Sequence, residues 1–579
     1  MKITTVRRIS QVFFFVLFLW FCIVTTVGEK FWQIRNWPVN WILQLDPLVA
    51  LGTILSTGKF YWPLHCALGT IILTIIFGRY FCSWLCPFGS IHHFVGYLAN
   101  RKRKVAEKIQ LNRYRKAQRI KYLVLFFFLG MAAFPSLASS LQTGLLDPIP
   151  LVTRSVNLVL LPILDRGTYL TSVESRFYEL GWLVLTVFGI AVLLNLVIPR
   201  FYCRFICPLG ALLGIISRFS IWRIGKNKSE CINCKLCEKA CEGGCEPSGS
   251  IKIAECVLCF NCRDDCKHDL IAYQTVPSLA GEAPADISRR GFVLSLAGGV
   301  FAVPAIRLSG KVASNWYSQV IRPPGALAEE EFLKRCIKCS QCMRVCPTNV
   351  IQPAGIEGGL EGLWTPILNN RIGSSGCQLN CVACGQVCPT SAIRPITLDE
   401  KKGLGEFADK GPIKLGTAFV DRDRCLPWSM GKPCIVCQEN CPVSPKAIFT
   451  QDVFATIRDG SATVKRAAHN TIEIDQPISP GKFGTGDYYV LFEDGGRCKI
   501  STNTDSSIEI SSGDASAKLP LQGAKIEVQV RLQRPYIDLE KCIGCGVCEH
   551  ECPVSGKRAI RISAEGETRS MARRLLLKG

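Results

Sequence analysis

The sequence predicts a multidomain membrane protein: an α-helical core in the bilayer, small α+β domains organised around cysteines, and a β-rich insertion. Three observations predict it. Apolar stretches of membrane-crossing length recur in the N-terminal part. The 32 cysteines fall mostly in runs with short, regular gaps. A late segment, 453–531, follows neither pattern and alternates apolar with polar residues.

The helical core comes first. The hydrocarbon of a bilayer, about 30 Å thick, takes roughly 20 apolar residues of helix. Stretches at 10–28, 61–80, 121–139 and 179–198 fit as four spans, and a shorter, glycine-containing stretch at 291–307 fits as a fifth. Basic residues fix orientation by remaining on the inner side. Lys2, Arg7 and Arg8 therefore hold the N-terminus inside. The run from Arg101 to Lys121, with ten basic residues and one acidic, is an inner loop able to touch anionic headgroups. Residues 200–290 are then inside and 308–579 outside. This explains most of the +22 net charge and removes nucleic acid as an expected partner. A mean hydropathy of +0.22 with 20% charged residues agrees with a chain part membrane, part soluble.

An internal repeat organises the core. Leu45-Asp46-Pro47-Leu48, a span and FGRYFCSWLCPFGSI form one copy; Leu146-Asp147-Pro148-Ile149, a span and IPRFYCRFICPLGAL form the other. Two such units are expected to relate by a pseudo-two-fold axis along the membrane normal. Each copy carries C-x3-C-P, as Cys82 with Cys86-Pro87 and Cys203 with Cys207-Pro208. The i, i+4 spacing puts each pair on one helix face, so the axis would gather four thiols at the inner surface. They serve either as a metal centre or as redox-active thiols; small buried helix-end residues are the plainer reading, disfavoured by the matched copies. Asp46 and Asp147 either start turns or, repeated near the outer face, accept protons. Cys22 and Cys66 read as small apolar residues.

The cysteine runs carry the strongest chemistry. Two precede residue 270: Cys231, Cys234, Cys237, Cys241 and Cys256, Cys259, Cys262, Cys266. Four follow residue 330: Cys336, Cys339, Cys342, Cys346; Cys377, Cys381, Cys384, Cys388; Cys425, Cys434, Cys437, Cys441; and Cys542, Cys545, Cys548, Cys552. Each of these four ends in Cys-Pro. Such spacing belongs to ferredoxin-like domains, where three close thiolates hold one cubane and the fourth ligates its neighbour. Six [4Fe–4S] clusters are expected. Zinc is the competing ligand for C-x2-C pairs, and full four-cysteine runs disfavour it. Cys245 competes with Cys241 as a ligand. The four later runs are expected to pair as two with three and one with four, because the β-rich insertion separates the last run. Cys498, alone in that insertion, is structural or free. With no C-x-x-C-H, covalent c-type haem is excluded.

Ser288-Arg289-Arg290-Gly291-Phe292, followed by the apolar run, reads as a twin-arginine export signal. The chain then divides into a membrane domain (1–222), an inner two-cluster ferredoxin-like domain (223–280), a signal, fifth span and linker (285–322), and an outer four-cluster domain (323–579) carrying the β-rich insertion. Inside that insertion Asp494-Gly495-Gly496 reads as a hairpin turn.

The four-span part with both C-x3-C-P motifs and the following two-cluster domain resembles the NapH family. The part from Ser288 onward, with its signal and four cluster motifs, resembles the NapG family, so the chain is similar to a NapH–NapG fusion. NosR-type proteins, which serve nitrous oxide respiration, share the C-x3-C-P core. The resemblance implies a quinol dehydrogenase component of the inner membrane, drawing on the quinone pool and feeding a periplasmic reductase, typically for nitrate, or a cytochrome c. It gives Cys82, Cys86, Cys203 and Cys207 the membrane-motif role. His65, His92 and His93 are the membrane-adjacent histidines; they are interfacial polar residues first, with quinone contact or proton relay by His92 and His93 as the alternative. A different class of function is an accessory metal-reducing or maturation factor, as among C-x3-C-P copper reductases.

Overall fold

The computed structural model describes residues 2–26, 38–133, 139–168, 176–227, 231–312, 320–484, 486–511 and 519–570. The ends of the first and third expected spans, at 27–28 and 134–138, lie outside these, as does most of the basic tail. The chain forms two compact units: 1–374 with 380–415 and 568–579, and 375–379 with 416–567.

The first unit is built on helices. These are α1 (Ile3–Val24), α2 (Pro47–Thr57), α3 (Cys66–Phe77), α4 (Pro87–Asn100), α5 (Ile120–Ala132), α6 (Pro148–Ser155), α7 (Gly181–Leu193), α8 (Pro208–Ser217) and α9 (Arg289–Val312). The helix α6 continues through a π turn, Val156–Leu160, into Leu161–Thr168. Each repeat copy therefore holds more helices than the single expected span. A helix begun by Asp-Pro, α2 or α6, precedes the apolar helix, α3 or α7, and the C-x3-C-P turn leads into α4 or α8.

Local chemistry explains these starts. Asp46 Oδ1 accepts from the Leu48 and Val49 N–H groups at 2.9 and 3.4 Å, and Asp147 Oδ1 from Ile149 at 3.4 Å. Proline follows at N1, where its missing N–H costs nothing. The Asp-Pro pairs thus begin helices and cap them.

Among the described residues three helices are long and apolar enough to cross a membrane: Ile3–Val24, Pro148–Arg166 and Arg289–Leu308. The expected spans at 61–80 and 179–198 correspond to shorter helices, α3 of 12 residues and α7 of 13. A turn at Trp62–Leu64 delays the start of α3, and Gly78, in the left-handed region at φ +82°, ends it. Pro148–Arg166 escaped the hydropathy reading because Arg154, Ser155 and Asn157 interrupt it; all three are buried against protein.

Helix α9 packs along α5 through glycine. A Cβ on Gly299 would collide with the Phe127 carbonyl and stand 3.0 Å from Gly130 Cα. Small residues permit such close crossings in membranes. The helix begins at Arg289, within the twin-arginine motif.

The N-terminal cluster domain closes with an antiparallel strand pair, Arg223–Lys226 against Ile271–Gln274. In the second unit, six strands close a barrel: β1 (Ile448–Ala468), β2 (Thr471–Ile474), β3 (Tyr488–Phe492), β4 (Arg497–Asn503), β5 (Ser507–Ile510) and β6 (Lys525–Ile537), in the order β3-β4-β5-β2-β1-β6. Its core includes Val464, Ile472, Val490, Ile500 and Val528, with Cys498 buried among them. The turn between β3 and β4 uses Asp494, whose carboxylate accepts from Gly496 N at 2.8 Å, and Gly495 at φ +83°. The outer ends of β1 and β6 run on as a two-stranded ribbon, pairing Ile448 with Ile537.

Candidate electron-transfer site

The two C-x3-C-P copies converge in the core of the first unit. Cys86 lies within electrostatic reach of Cys82 and Cys203, and Cys207 of Cys203 and Cys82. Cys82, Cys86 and Cys207 are buried, and Cys203 is half-buried. They were expected at the inner surface; they are instead covered by the N-terminal cluster domain, whose Val257 and Cys259 belong to the same apolar core. Cys86 and Cys207 each cap the following helix, accepting the N–H of Gly89 at 3.4 Å and of Gly210 at 3.1 Å. A Cβ at Gly89 would strike the Cys82 carbonyl, and one at Gly210 the Arg79 guanidinium.

Two arginines complete this site. Arg79 Nε donates to Cys82 Sγ at 3.2 Å, and its Nη1 to the Ala254 carbonyl at 3.3 Å. Arg200 Nη1 donates to the Cys82 carbonyl at 3.3 Å, and its Nε pairs with Glu242 at 2.5 Å. Both side chains are buried. Each stands three residues before the first cysteine of its copy, so the repeat itself held a signal that the cysteine reading passed over. Four thiols with two guanidiniums and two backbone donors suit a group that carries negative charge on sulfur. Among the described residues no three His, Cys, Asp or Glu side chains converge as a single-ion site.

The N-terminal cluster domain brings Cys231, Cys234, Cys237 and Cys266 around one small cavity of about 20 Å³. This is the expected exchange of fourth cysteines. Cys256, Cys259 and Cys262 form the second set. Cys241 acts on all three, while Cys245 hydrogen-bonds with Cys241, the sulfurs 3.2 Å apart, and with Cys256. Both face this set, with Cys241 the more central.

Among the C-terminal runs, Cys388 acts on Cys336, Cys339 and Cys342, which joins run one to run two. In the second unit Cys425, Cys434, Cys437 and Cys552 line one small cavity of about 20 Å³, and Cys441, Cys542, Cys545 and Cys548 another of about 20 Å³. The expected pairing of two with three and one with four is corrected to one with two and three with four. The insertion loops out and returns, so the runs it separates in sequence meet in space. Run two is divided between the units: Cys377 lies in the second, its N–H donating to the Cys545 carbonyl at 2.7 Å, while Cys381, Cys384 and Cys388 lie in the first. Cys346 is buried beside Thr348, and Cys552 is buried as well. Burial pushes Cys336 up to about 11 and Cys437 and Cys545 up to about 12, so iron must displace protons to bind there.

Run one rests on the helical core. Leu141 N donates to the Leu333 carbonyl at 3.0 Å, Ser56 Oγ to Lys334 at 2.5 Å and Arg154 Nη1 to Lys338 at 3.1 Å. Arg154, stacked 4.2 Å from the Trp364 ring, is within electrostatic reach of Tyr202, Cys336 and Cys339. At the opposite end of α5, Tyr122 donates to Glu255 at 2.8 Å, and Lys121 pairs with the same carboxylate. Helix α5 thus stretches from the residue before Cys256 to Met131, whose carbonyl accepts from Ser140 N at 3.0 Å, one residue before the Leu141 bond to Leu333. Its 13 residues span about 20 Å at 1.5 Å each.

The other singled-out residues are not themselves part of the cysteine sets. Asp46 and Asp147 are buried and lie within electrostatic reach of each other. His65 stacks on Trp62, 4.9 Å between ring centres. His92 is buried against Phe88, and His93 faces Glu242 at 3.2 Å.

Known proteins agree with this arrangement. A family model described as a 4Fe-4S binding domain matches 50–106 and 180–227, one segment for each C-x3-C-P copy. Two further models of that description match 332–352 and 533–554. These cysteine sets, with their apolar helices, define a membrane-associated iron–sulfur electron-transfer protein. It is related to three named proteins. The regulatory protein NosR of Pseudomonas aeruginosa is 29% identical over 193 residues, 33% of this chain and 24% of NosR. NirI of Paracoccus denitrificans is 31% identical over 244 residues, 40% of this chain and 32% of NirI. YccM of Escherichia coli is 27% identical over 247 residues, 42% of this chain and 63% of YccM. The chain therefore spans less than two thirds of each of these relatives. No solved structure matches.

Proposed function

We propose that the protein oxidises membrane quinol and moves the electrons through its helical core to clusters on the outer face, for a periplasmic respiratory reductase or a cytochrome c. In this reading the chain is an inner-membrane protein and α9 is the twin-arginine segment that carries the C-terminal runs outward. The six cysteine runs hold six [4Fe–4S] clusters, and Cys82, Cys86, Cys203 and Cys207 hold a further iron–sulfur centre. The fusion of NapH-like and NapG-like parts, and a nitrate-reductase type of partner, belong to this proposal.

The observation that carries it is the length of α5. Its 13 residues span about 20 Å between the Glu255 contacts and the Ser140 contact, and Cys82, Cys86 and Cys207 share one apolar core with Cys259 and Cys339. Bound at these cysteines, iron–sulfur groups supply one-electron transfer, with potentials set by burial and hydrogen bonds to sulfur. The residues present do the rest. Arg79 and Arg200 balance negative charge in a buried site, Gly89 and Gly210 aim N–H groups at sulfur, and the apolar core excludes water. Arg154 and Tyr202 bridge the quartet and run one: Tyr202 lies within reach of Cys207 and Arg154.

Reduction of purified protein in nanodiscs by a short-chain quinol tests this. Bleaching should reach all cluster signals in the parent. Cys207→Ser should leave the N-terminal clusters reducible and slow the C-terminal ones by orders of magnitude. Failure of quinol to reduce any cluster in the parent sinks the proposal.

A further inference from the structure

A cavity of about 620 Å³ in the first unit lies where the N-terminus of α1 and one face of α4 meet the N-terminal cluster domain. Its size suits a small organic ligand, for which 300–1,000 Å³ is usual. His93, Tyr97 and Asn100 line it from α4, Arg200 from the turn before Cys203, and Glu242 and Asn261 from the cluster domain. Glu242 is clamped by three cationic or ionisable groups: Arg7 at 3.1 Å, His93 at 3.2 Å and Arg200 at 2.5 Å. The same residues flank two cysteine sets. Cys259 is within electrostatic reach of Glu242 and Arg7, and Arg200 of both Cys203 and Cys259. Beside the chamber, α4 turns Phe94 and Leu98 outward, 62% and 54% exposed, an apolar edge on which a lipophilic tail can lie.

We propose that this chamber is the quinol site, placing oxidation between the N-terminal cluster domain and the C-x3-C-P thiols. The inference rests on the quinol-oxidising reading above and locates its substrate. A quinol gives up two electrons and two protons to become a quinone. Cys241, Cys256, Cys259 and Cys262 on one side and the thiol quartet on the other would hold the iron–sulfur groups that take up these electrons singly. His93 accepts a proton from the quinol hydroxyl and passes it to solvent at the open mouth, and the second proton follows the same way. Glu242 orients the imidazole and balances its charge. Both protons are thus returned to the side of the N-terminal cluster domain. The mouth also carries Lys2, Arg8, Arg101 and Lys108, which an anionic lipid headgroup would satisfy instead.

The test uses full-length protein in nanodiscs with decyl-ubiquinol and decyl-menaquinol analogues. His93→Phe should lower kcat by about 100-fold, the usual range for losing a proton acceptor, with KM little changed. Asn100→Trp, which fills the chamber, should raise KM at least tenfold. Iron content and dithionite-reduced spectra should match the parent in both. A parent that quinol cannot reduce overturns the functional reading itself. A parent that is reduced, with both variants behaving identically to it, overturns this site alone. Retention of an anionic lipid that is lost in Arg8→Gln and Lys108→Gln, with turnover unaffected by Asn100→Trp, also overturns it and makes the chamber a headgroup site.

Discussion

Ile448 faces Ile537 across an antiparallel ribbon, and that pairing decides which C-terminal cysteine runs meet. The ribbon starts just after Cys441 and ends just before Cys542. The barrel beyond it is a side module on a stem, and the stem returns the chain to the point it left. Cys441 therefore joins Cys542, Cys545 and Cys548, while Cys552 joins Cys425, Cys434 and Cys437.

This exchange predicts the spectroscopy of single variants. Cys441→Ser should perturb the same cluster signal as Cys545→Ser, and Cys552→Ser the same signal as Cys437→Ser. Electron paramagnetic resonance of the reduced protein reads this. Shared perturbation by Cys441→Ser and Cys437→Ser would mean that each run keeps its own fourth cysteine.

Much of the site was legible because thiolate ligation imposes spacing that nothing else in a protein imitates. Every cysteine that lines the three cavities had been read from its run. The pairing of runs was not legible, since a strand ribbon shows in sequence only as two distant alternating segments whose register is undetermined. The Asp-Pro helices were missed because short polar N-caps read equally well as turns, and hydropathy windows average them away. Arg79 and Arg200 were visible in the repeat but carried no meaning until their partners, Cys82 and Glu242, were placed beside them.

Charge at the thiol quartet should set its potential. Arg79 touches Cys82 Sγ and lies within electrostatic reach of Cys207 and Glu255. Removing the guanidinium in Arg79→Met leaves extra negative charge on reduction uncompensated in a buried place. The centre held there should become harder to reduce. Arg79→Lys should fall between parent and Met, since it keeps the charge and loses the fork geometry. Potentiometric titration of the purified protein checks the order, and an unchanged midpoint in Arg79→Met would place the centre elsewhere.

The glycines of the two C-P-x-G copies should differ in cost. Alanine is favoured over glycine in helices by about 1 kcal/mol, whereas overpacking costs about 1–3 kcal/mol. At Gly89 the new methyl meets the Cys82 backbone carbonyl, and at Gly210 the end of a flexible arginine. Gly89→Ala should therefore lower the thermal midpoint clearly, and Gly210→Ala less. Melting curves in one detergent compare them, and the reverse order would contradict the packing.

The crossing of α5 and α9 gives a sharper contrast, because adjacent glycines occupy different surroundings. A methyl at Gly299 runs into the Phe127 carbonyl and approaches Gly130 Cα, while one at Gly298 finds its nearest neighbour, a Phe127 ring carbon, at 3.8 Å. The first must push two backbones apart; the second makes an ordinary contact. Packing is the main attraction between helices in lipid, so separation forfeits dispersion along the whole crossing. Gly299→Ala should weaken the association of α9 with the core and shift its SDS unfolding midpoint downward. Gly298→Ala should be neutral or mildly stabilising through helix propensity. Equal midpoints for the two variants would show that α9 is held by something other than this contact, such as the ion pair of Arg307 with Glu361 at 3.2 Å. Arg307→Gln in the Gly299→Ala background then measures how much of the hold lies there.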